Sequence, residues 1–219
     1  AIQDPGIQAN DFIFNSITEM ANCYLQSIKK IQPCGPYLLA GASFGGTISM
    51  AIANQLLQAK EQVNFIGLLD AWPFYDKKFW EKEFLEKLML QQFNAHDIDN
   101  LEFLLKLYQH RTSMLCDYKI PFIDAKLTFF KAWEIWPVFK EMMLPTNCWD
   151  PYSSKPVETQ VVPGNHETMF WEPNVQSLAK KINVALEKSE SKKPAVGSGI
   201  KIRHNINSIN DVKYYNYKK

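Results

Sequence analysis

No run of eighteen or more apolar residues occurs in the 219-residue chain, so no membrane-spanning helix is expected. The opening Ala1-Ile2-Gln3-Asp4-Pro5 has neither the basic start nor the apolar stretch of a secretory signal. Cysteine is scarce and scattered: Cys23, Cys34, Cys116 and Cys148 form no Cys-x-x-Cys pair. That spacing argues against a zinc site or a disulfide framework, and for free thiols in a cytoplasmic protein. There is no metal-ligand cluster, no phosphate-cradling glycine loop and no nucleic-acid motif; Gly45-Gly46 alone does not make a nucleotide site. Metal and nucleic acid are therefore not expected as partners.

What is present is ample material for a core. Hydrophobic residues make up 46% of the chain and aromatics 13%. The length suits one large α/β domain, or one domain with appendages. Net charge is only +1, but it is unevenly spread. From Lys188 onward eight Lys or Arg face two acids, a balance of +6, which leaves −5 on the body before it. Residues 188–219 read as a basic, disordered tail, solvated rather than bound to a membrane or nucleic acid.

One stretch organises the rest: Pro36-Tyr37-Leu38-Leu39-Ala40-Gly41-Ala42-Ser43-Phe44-Gly45-Gly46. Tyr37 to Ala40 has the length and apolarity of a buried strand. Gly41-Ala42-Ser43-Phe44-Gly45 fits G-x-S-x-G, and Ile48, Ala51, Ile52, Gln55 and Leu56 then recur at helical spacing. Strand, sharp turn and helix are the setting in which this pentapeptide becomes a nucleophile elbow. Glycines at 41 and 45 are expected to keep side chains from colliding across the turn. The Ser43 hydroxyl would then stand above the strand end, at the positive end of a helix.

Along the rest of the chain, residues 1–6 read as the close of a strand or a loop, and residues 11–31 as a helix. Residues 63–69 form a second apolar strand ending in Asp70, on the sheet edge where such folds place their ligands. From 76 to about 117 two amphipathic helices are expected, either as a lid over a pocket or as ordinary packing helices. Their aromatic load (Phe79, Trp80, Phe84, Phe93, Phe103, Tyr108) would suit an apolar acyl pocket. Residues 124–132 return to strand. A Trp- and Pro-rich loop leads to Asp150, residues 159–162 form the last strand, and Pro163-Gly164-Asn165-His166 turns away from it before a helix over 174–186. Ser43, Asp70 and His166 fall in the Ser…Asp…His order of α/β-hydrolases. Asp150, after the next strand, is the alternative acid and Glu134 a weaker one. His96, His110 and His204 have no constellation around them.

These residues resemble the thioesterase domains that end nonribosomal peptide synthetases and polyketide synthases. The resemblance rests on residues 35–46, on Leu68-Leu69-Asp70, on Tyr118 before the 126–132 strand, and on Val162-Pro163-Gly164-Asn165-His166 with Met169 and Phe170 behind. It implies an α/β-hydrolase over residues 1–187, a mostly parallel sheet flanked by helices with a helical lid. It also implies that the domain's opening strands, with a His-Pro-Gly-Gly-like loop giving a second oxyanion donor, lie outside this sequence. By the resemblance Ser43 is the nucleophile, His166 the general base, Asp70 its orienter and the Phe44 backbone N–H an oxyanion donor. No cofactor is implied; the substrate would arrive as an acyl or peptidyl thioester on the phosphopantetheine arm of a carrier protein. An acyltransferase or lactone-forming enzyme on the same scaffold, or a non-catalytic carrier-protein-binding remnant, are the competing expectations.

Overall fold

The computed structural model of the chain describes residues 2–73, 101–135 and 148–190. Residues 74–100, which hold most of the expected lid, lie outside the described residues, as do 136–147 of the Trp-rich loop and 191–219 of the tail.

The chain opens on a helical turn, α1 (Pro5–Ala9), where a strand end or loop is expected from the sequence. The reason is local. Asp4 caps it by accepting from the Gly6 N–H at 2.8 Å, and Pro5, which lacks an N–H, sits in the first turn where that donor has no intrahelical partner. The next helix, α2 (Ile17–Ile31), starts six residues later than its periodicity predicts. Ser16 accepts from the Glu19 N–H while the Glu19 carboxylate accepts from the Asn15 N–H, a capping arrangement that ends the extended segment before it.

Strand β1 (Tyr37–Ala42), helix α3 (Phe44–Gln58) and strand β2 (Val63–Leu69) follow in turn. Helix α4 (Leu101–Asp117), strand β3 (Leu127–Ala132), strand β4 (Glu158–Val162) and helix α5 (Asn174–Glu190) complete the described fold. The four strands are all parallel, in the order β1-β2-β3-β4. β3 begins at Leu127 rather than 124. The residues before it are held in bends by an isolated bridge between Ile123 and Ser153 and by the Ser153 hydroxyl donating to the Ala125 carbonyl. α5 runs on past 186 to Glu190.

Period-2 alternation sends side chains to two cores. Ile66, Leu68, Leu127 and Phe129 face a large cluster with α2 and α3, built on Met20, Tyr24, Ile48, Ile52 and Leu56. Phe65, Phe130, Ala132 and Val162 face a smaller one with α5, built on Met169, Leu178 and Ala185. Both faces of β2 and β3 are covered, as parallel strands require. Each fully buried aromatic such as Phe129 or Phe130 contributes about 1.5–3 kcal/mol by leaving water. β1 differs: Tyr37, Leu39 and Gly41 are buried, whereas Leu38, Ala40 and Ala42 are exposed. The N–H groups of Tyr37 and Ser43 both donate toward β2, to Gln62 and Leu69. By alternation the even-numbered backbone groups of β1 point to the outer edge, with which no strand pairs among the described residues.

Helix α4 is clamped to the start of the chain. Arg111 makes a 2.7 Å ion pair with Asp4, donates to the Phe14 carbonyl at 2.9 Å, and lies over the Phe14 ring. His110 also reaches the Phe14 carbonyl, and Phe103 packs on Phe12 with ring centres 5.5 Å apart. The side chains of the pair are only 7% and 15% exposed, so the pairing offsets the cost of burying both charges.

Candidate active site

Parallel register sets the geometry of the site. Ala42 is level with Leu69, Leu69 with Phe130, and Ala132 with Val162. The residues just beyond these positions therefore emerge on one edge of the sheet, at the carboxyl ends of the strands. Ser43 follows β1, Asp70 follows β2, and His166 stands four residues past the end of β4.

Ser43 occupies the turn between β1 and α3 with φ 49° and ψ −122°, backbone space that a residue with a side chain rarely enters. It is held there by its N–H donating to the Leu69 carbonyl and its carbonyl accepting from the Gly46 N–H. The N–H of Phe44 belongs to the first turn of α3, whose donors have no intrahelical acceptor. A Cβ on Gly41 would sit 2.0 Å from the Gly45 carbonyl oxygen, so residue 41 has to be glycine for the turn to close. Gly45 is different from the expectation: no described atom lies within 4 Å of a Cβ built there. The second tight approach is at Gly46, where a Cβ would meet the Ala71 Cβ at 2.2 Å. The elbow thus packs onto β2 one residue further into the helix than G-x-S-x-G suggests.

Asp70 is 5% exposed and fixed at both ends. Its N–H donates to the Phe130 carbonyl, and its Oδ1 accepts from the Ala132 N–H at 3.0 Å. Its Oδ2 is left for His166, whose Nδ1 lies 2.8 Å away. The structure therefore brings Asp70 and His166 together directly. Asp150 is exposed in a 3-10 turn, its backbone carbonyl accepting from the Ser153 N–H. Glu134 is exposed and donates its backbone N–H to the Gly164 carbonyl. Of the other histidines, His110 sits in α4 against Phe14, and His96 and His204 lie outside the described residues.

Three residues around the site, Trp149, Cys148 and Glu167, carry no obvious sequence signal. Trp149 is 1% exposed and its indole N–H donates to the carbonyl of Ala71, the residue after Asp70, at 2.8 Å. A Trp beside an Asp-Pro turn was its only mark in the sequence. Beside it, burial pushes the Cys148 thiol up to about 12, which leaves it protonated and unreactive. Next to His166, burial raises the Glu167 carboxyl, opposed by the imidazole beside it. Among the described residues no group of three or more His, Cys, Asp or Glu could hold a metal ion, and no helix is long and apolar enough to cross a membrane.

Comparisons with known proteins bear on the family and the fold. A 156-residue stretch is 31% identical to enterobactin synthase component F of Escherichia coli (strain K12), covering 63% of this chain and 11% of that protein. A 75-residue stretch is 39% identical to the inactive atromentin synthetase invA4 of Paxillus involutus, covering 34% of this chain and 8% of that protein. The chain thus spans about a tenth of the length of the curated relatives it matches. Among solved structures, the NocB thioesterase domain in covalent complex with a fluorophosphonate nocardicin G analogue superposes with a TM-score of 0.68 at 21% identity, over 84% of this chain and 81% of that one. At that identity the likeness speaks for the fold alone. The family model for the thioesterase domain matches residues 1–186, and the chain belongs to that family, with the α/β-hydrolase type of fold.

Proposed function

We propose that this chain is a serine thioesterase that releases an acyl or peptidyl chain from the phosphopantetheine thioester of a carrier protein, through an acyl-Ser43 intermediate. The observation that carries the reading is the 2.8 Å Asp70–His166 pair on the same sheet edge as a serine held at φ 49°. His166 takes the Ser43 proton as Oγ attacks the thioester carbonyl, and Asp70 stabilises the imidazolium that results. The Phe44 N–H donates to the developing oxyanion. Collapse expels the pantetheine thiolate, which takes the proton from His166 and leaves the acyl group on Ser43. In deacylation His166 deprotonates water, or a hydroxyl or amine of the substrate itself, so hydrolysis and cyclisation share every residue named here. No cofactor belongs to the chain; the phosphopantetheine arm arrives with the carrier protein.

Intact-protein mass spectrometry after exposure to an acyl fluorophosphonate tests this reading. One adduct is expected on the wild-type chain and none on Ser43→Ala. A wild-type chain that stays unlabelled at high reagent concentration would favour a non-catalytic, carrier-protein-binding role instead.

A further inference from the structure

The segment carrying His166 is held together by polar side chains. Asn165 Oδ1 accepts from the N–H of Glu167 at 3.0 Å, the N–H of Thr168 at 2.9 Å and the Thr168 hydroxyl at 3.1 Å. The Thr168 hydroxyl in turn accepts from the Asn165 N–H at 2.9 Å. These are reciprocal bonds between residues three apart, closed around 166 and 167 just before the 3-10 turn Thr168–Phe170. The turn is anchored from outside as well. Asn174, at the start of α5, donates its amide to the Thr168 carbonyl at 3.1 Å, and Met169, fully buried, donates its N–H to the Asn165 carbonyl. Gly164 keeps φ 88°, and a Cβ there would meet Asn174 Nδ2 at 2.6 Å and Thr168 Oγ1 at 2.8 Å. His166 thus projects from a loop whose neighbours on both sides share hydrogen bonds.

We propose that Asn165 and Thr168 are positioning residues: their reciprocal bonds set the backbone of His166 so that Nδ1 meets Asp70. This deepens the thioesterase reading and rests on it. Every bond that Asn165 makes here through its side chain uses Oδ1 as acceptor, and every one at Thr168 uses the hydroxyl. The chemistry needed at 165 is an acceptor that can take several N–H and O–H donors, and at 168 a hydroxyl that donates once and accepts once. A carboxylate at 165 and a serine at 168 satisfy those requirements; isosteric apolar groups do not.

The test uses the whole chain and four variants: Asn165→Asp, Asn165→Leu, Thr168→Ser and Thr168→Val. The first readout is the downfield proton resonance of the Asp70-bound His166 Nδ1–H, assigned by its loss in His166→Asn. The second is the rate of fluorophosphonate labelling at Ser43, measured on the alkaline plateau so that a new charge at 165 is not mistaken for misplacement. Asn165→Leu and Thr168→Val should lose the resonance and label roughly 10- to 100-fold more slowly, the scale of an ångström-level misplacement. Asn165→Asp and Thr168→Ser should keep the resonance and label within about threefold of wild type, a small change on that same scale. Should Asn165→Leu fail to fold, the near-isosteric Thr168→Val carries the comparison. Apolar variants that fold, keep the resonance and label at the wild-type rate would overturn the proposal, as would conservative variants no better than apolar ones. A wild-type chain with the resonance but no Ser43 adduct would overturn the thioesterase reading alone, leaving the resonance in the variants to decide the positioning role.

Discussion

The serine side and the histidine side of the site are built by different means. Ser43 is aimed by backbone bonds and close packing: Gly41 and Gly46 let α3 press onto β1 and β2, over the larger apolar cluster. His166 is aimed by polar side chains, and β4 beneath it is tied down by polar groups too. Glu158, at the start of β4, makes 2.8 Å ion pairs with Lys126 before β3 and with Lys188 near the end of α5. The smaller cluster supplies the apolar support on that side. Packing fixes a strained turn because it has no easy alternative state, whereas hydrogen bonds and ion pairs fix a loop only while their protonation and partners are kept.

The largest effect separating the two sides is expected at the residue joining them. Asp70→Asn retains an acceptor for the Ala132 N–H but favours the wrong imidazole tautomer, so Ser43 labelling should slow by about 10⁴-fold with unchanged circular dichroism. A loss under tenfold would mean that Asp70 does not orient His166. Next, Gly41→Ala forces a Cβ against a backbone carbonyl and should cost about 3 kcal/mol in urea unfolding, or yield no folded protein. Near wild-type stability there would show that the elbow is not built by close packing.

A smaller effect is expected on the polar side. The two lysines bonded to Glu158 hold its carboxyl down, from the ordinary 4.5 to about 2. Because the folded-state value is the lower one, the stabilisation is fully present above 4.5 and is lost as pH falls toward 2. Glu158→Gln should therefore cost about 1 kcal/mol at neutral pH, and its stability gap to wild type should close in acid. In hydrogen exchange, acid should loosen α5 and β4 before α3 and β1; the reverse order would contradict the division drawn above. The smallest effect is at Gly45, where an Ala methyl would meet no other described element and should stabilise by about 0.5–1 kcal/mol. Destabilisation by that substitution would restore a steric role to the second glycine of the pentapeptide.

The packing-built side was the more legible in sequence, for a physical reason. A strand, a glycine and a helical period leave marks within a dozen residues, and β1, α3 and β2 fall where those marks place them. Helix starts were less so. The apolar period runs through Phe14 because that side chain packs on Tyr24, yet Ser16 and Glu19 stop the helix short of it. β3 starts late because Ile123 pairs with Ser153, thirty residues away in sequence, and no local pattern encodes a bridge of that span. Gly46 was invisible as a contact because its neighbour, Ala71, belongs to another strand's end. Asn165 and Thr168 flank the histidine in plain view, but residues of those types are common in turns, and only the bond directions reveal what they hold.

Among the described residues, the order of the strands across the sheet is their order along the chain. A nascent polypeptide can therefore lay β2, β3 and β4 each beside the strand made just before it as it leaves the ribosome. Ser43 follows β1 and Asp70 follows β2, whereas His166 arrives only after β4. A chain halted between Asp70 and the loop after β4 holds the elbow and the acid without His166 beside them. Synthesis of this stretch therefore completes the Asp70–His166 pair only after all four of these strands have been made.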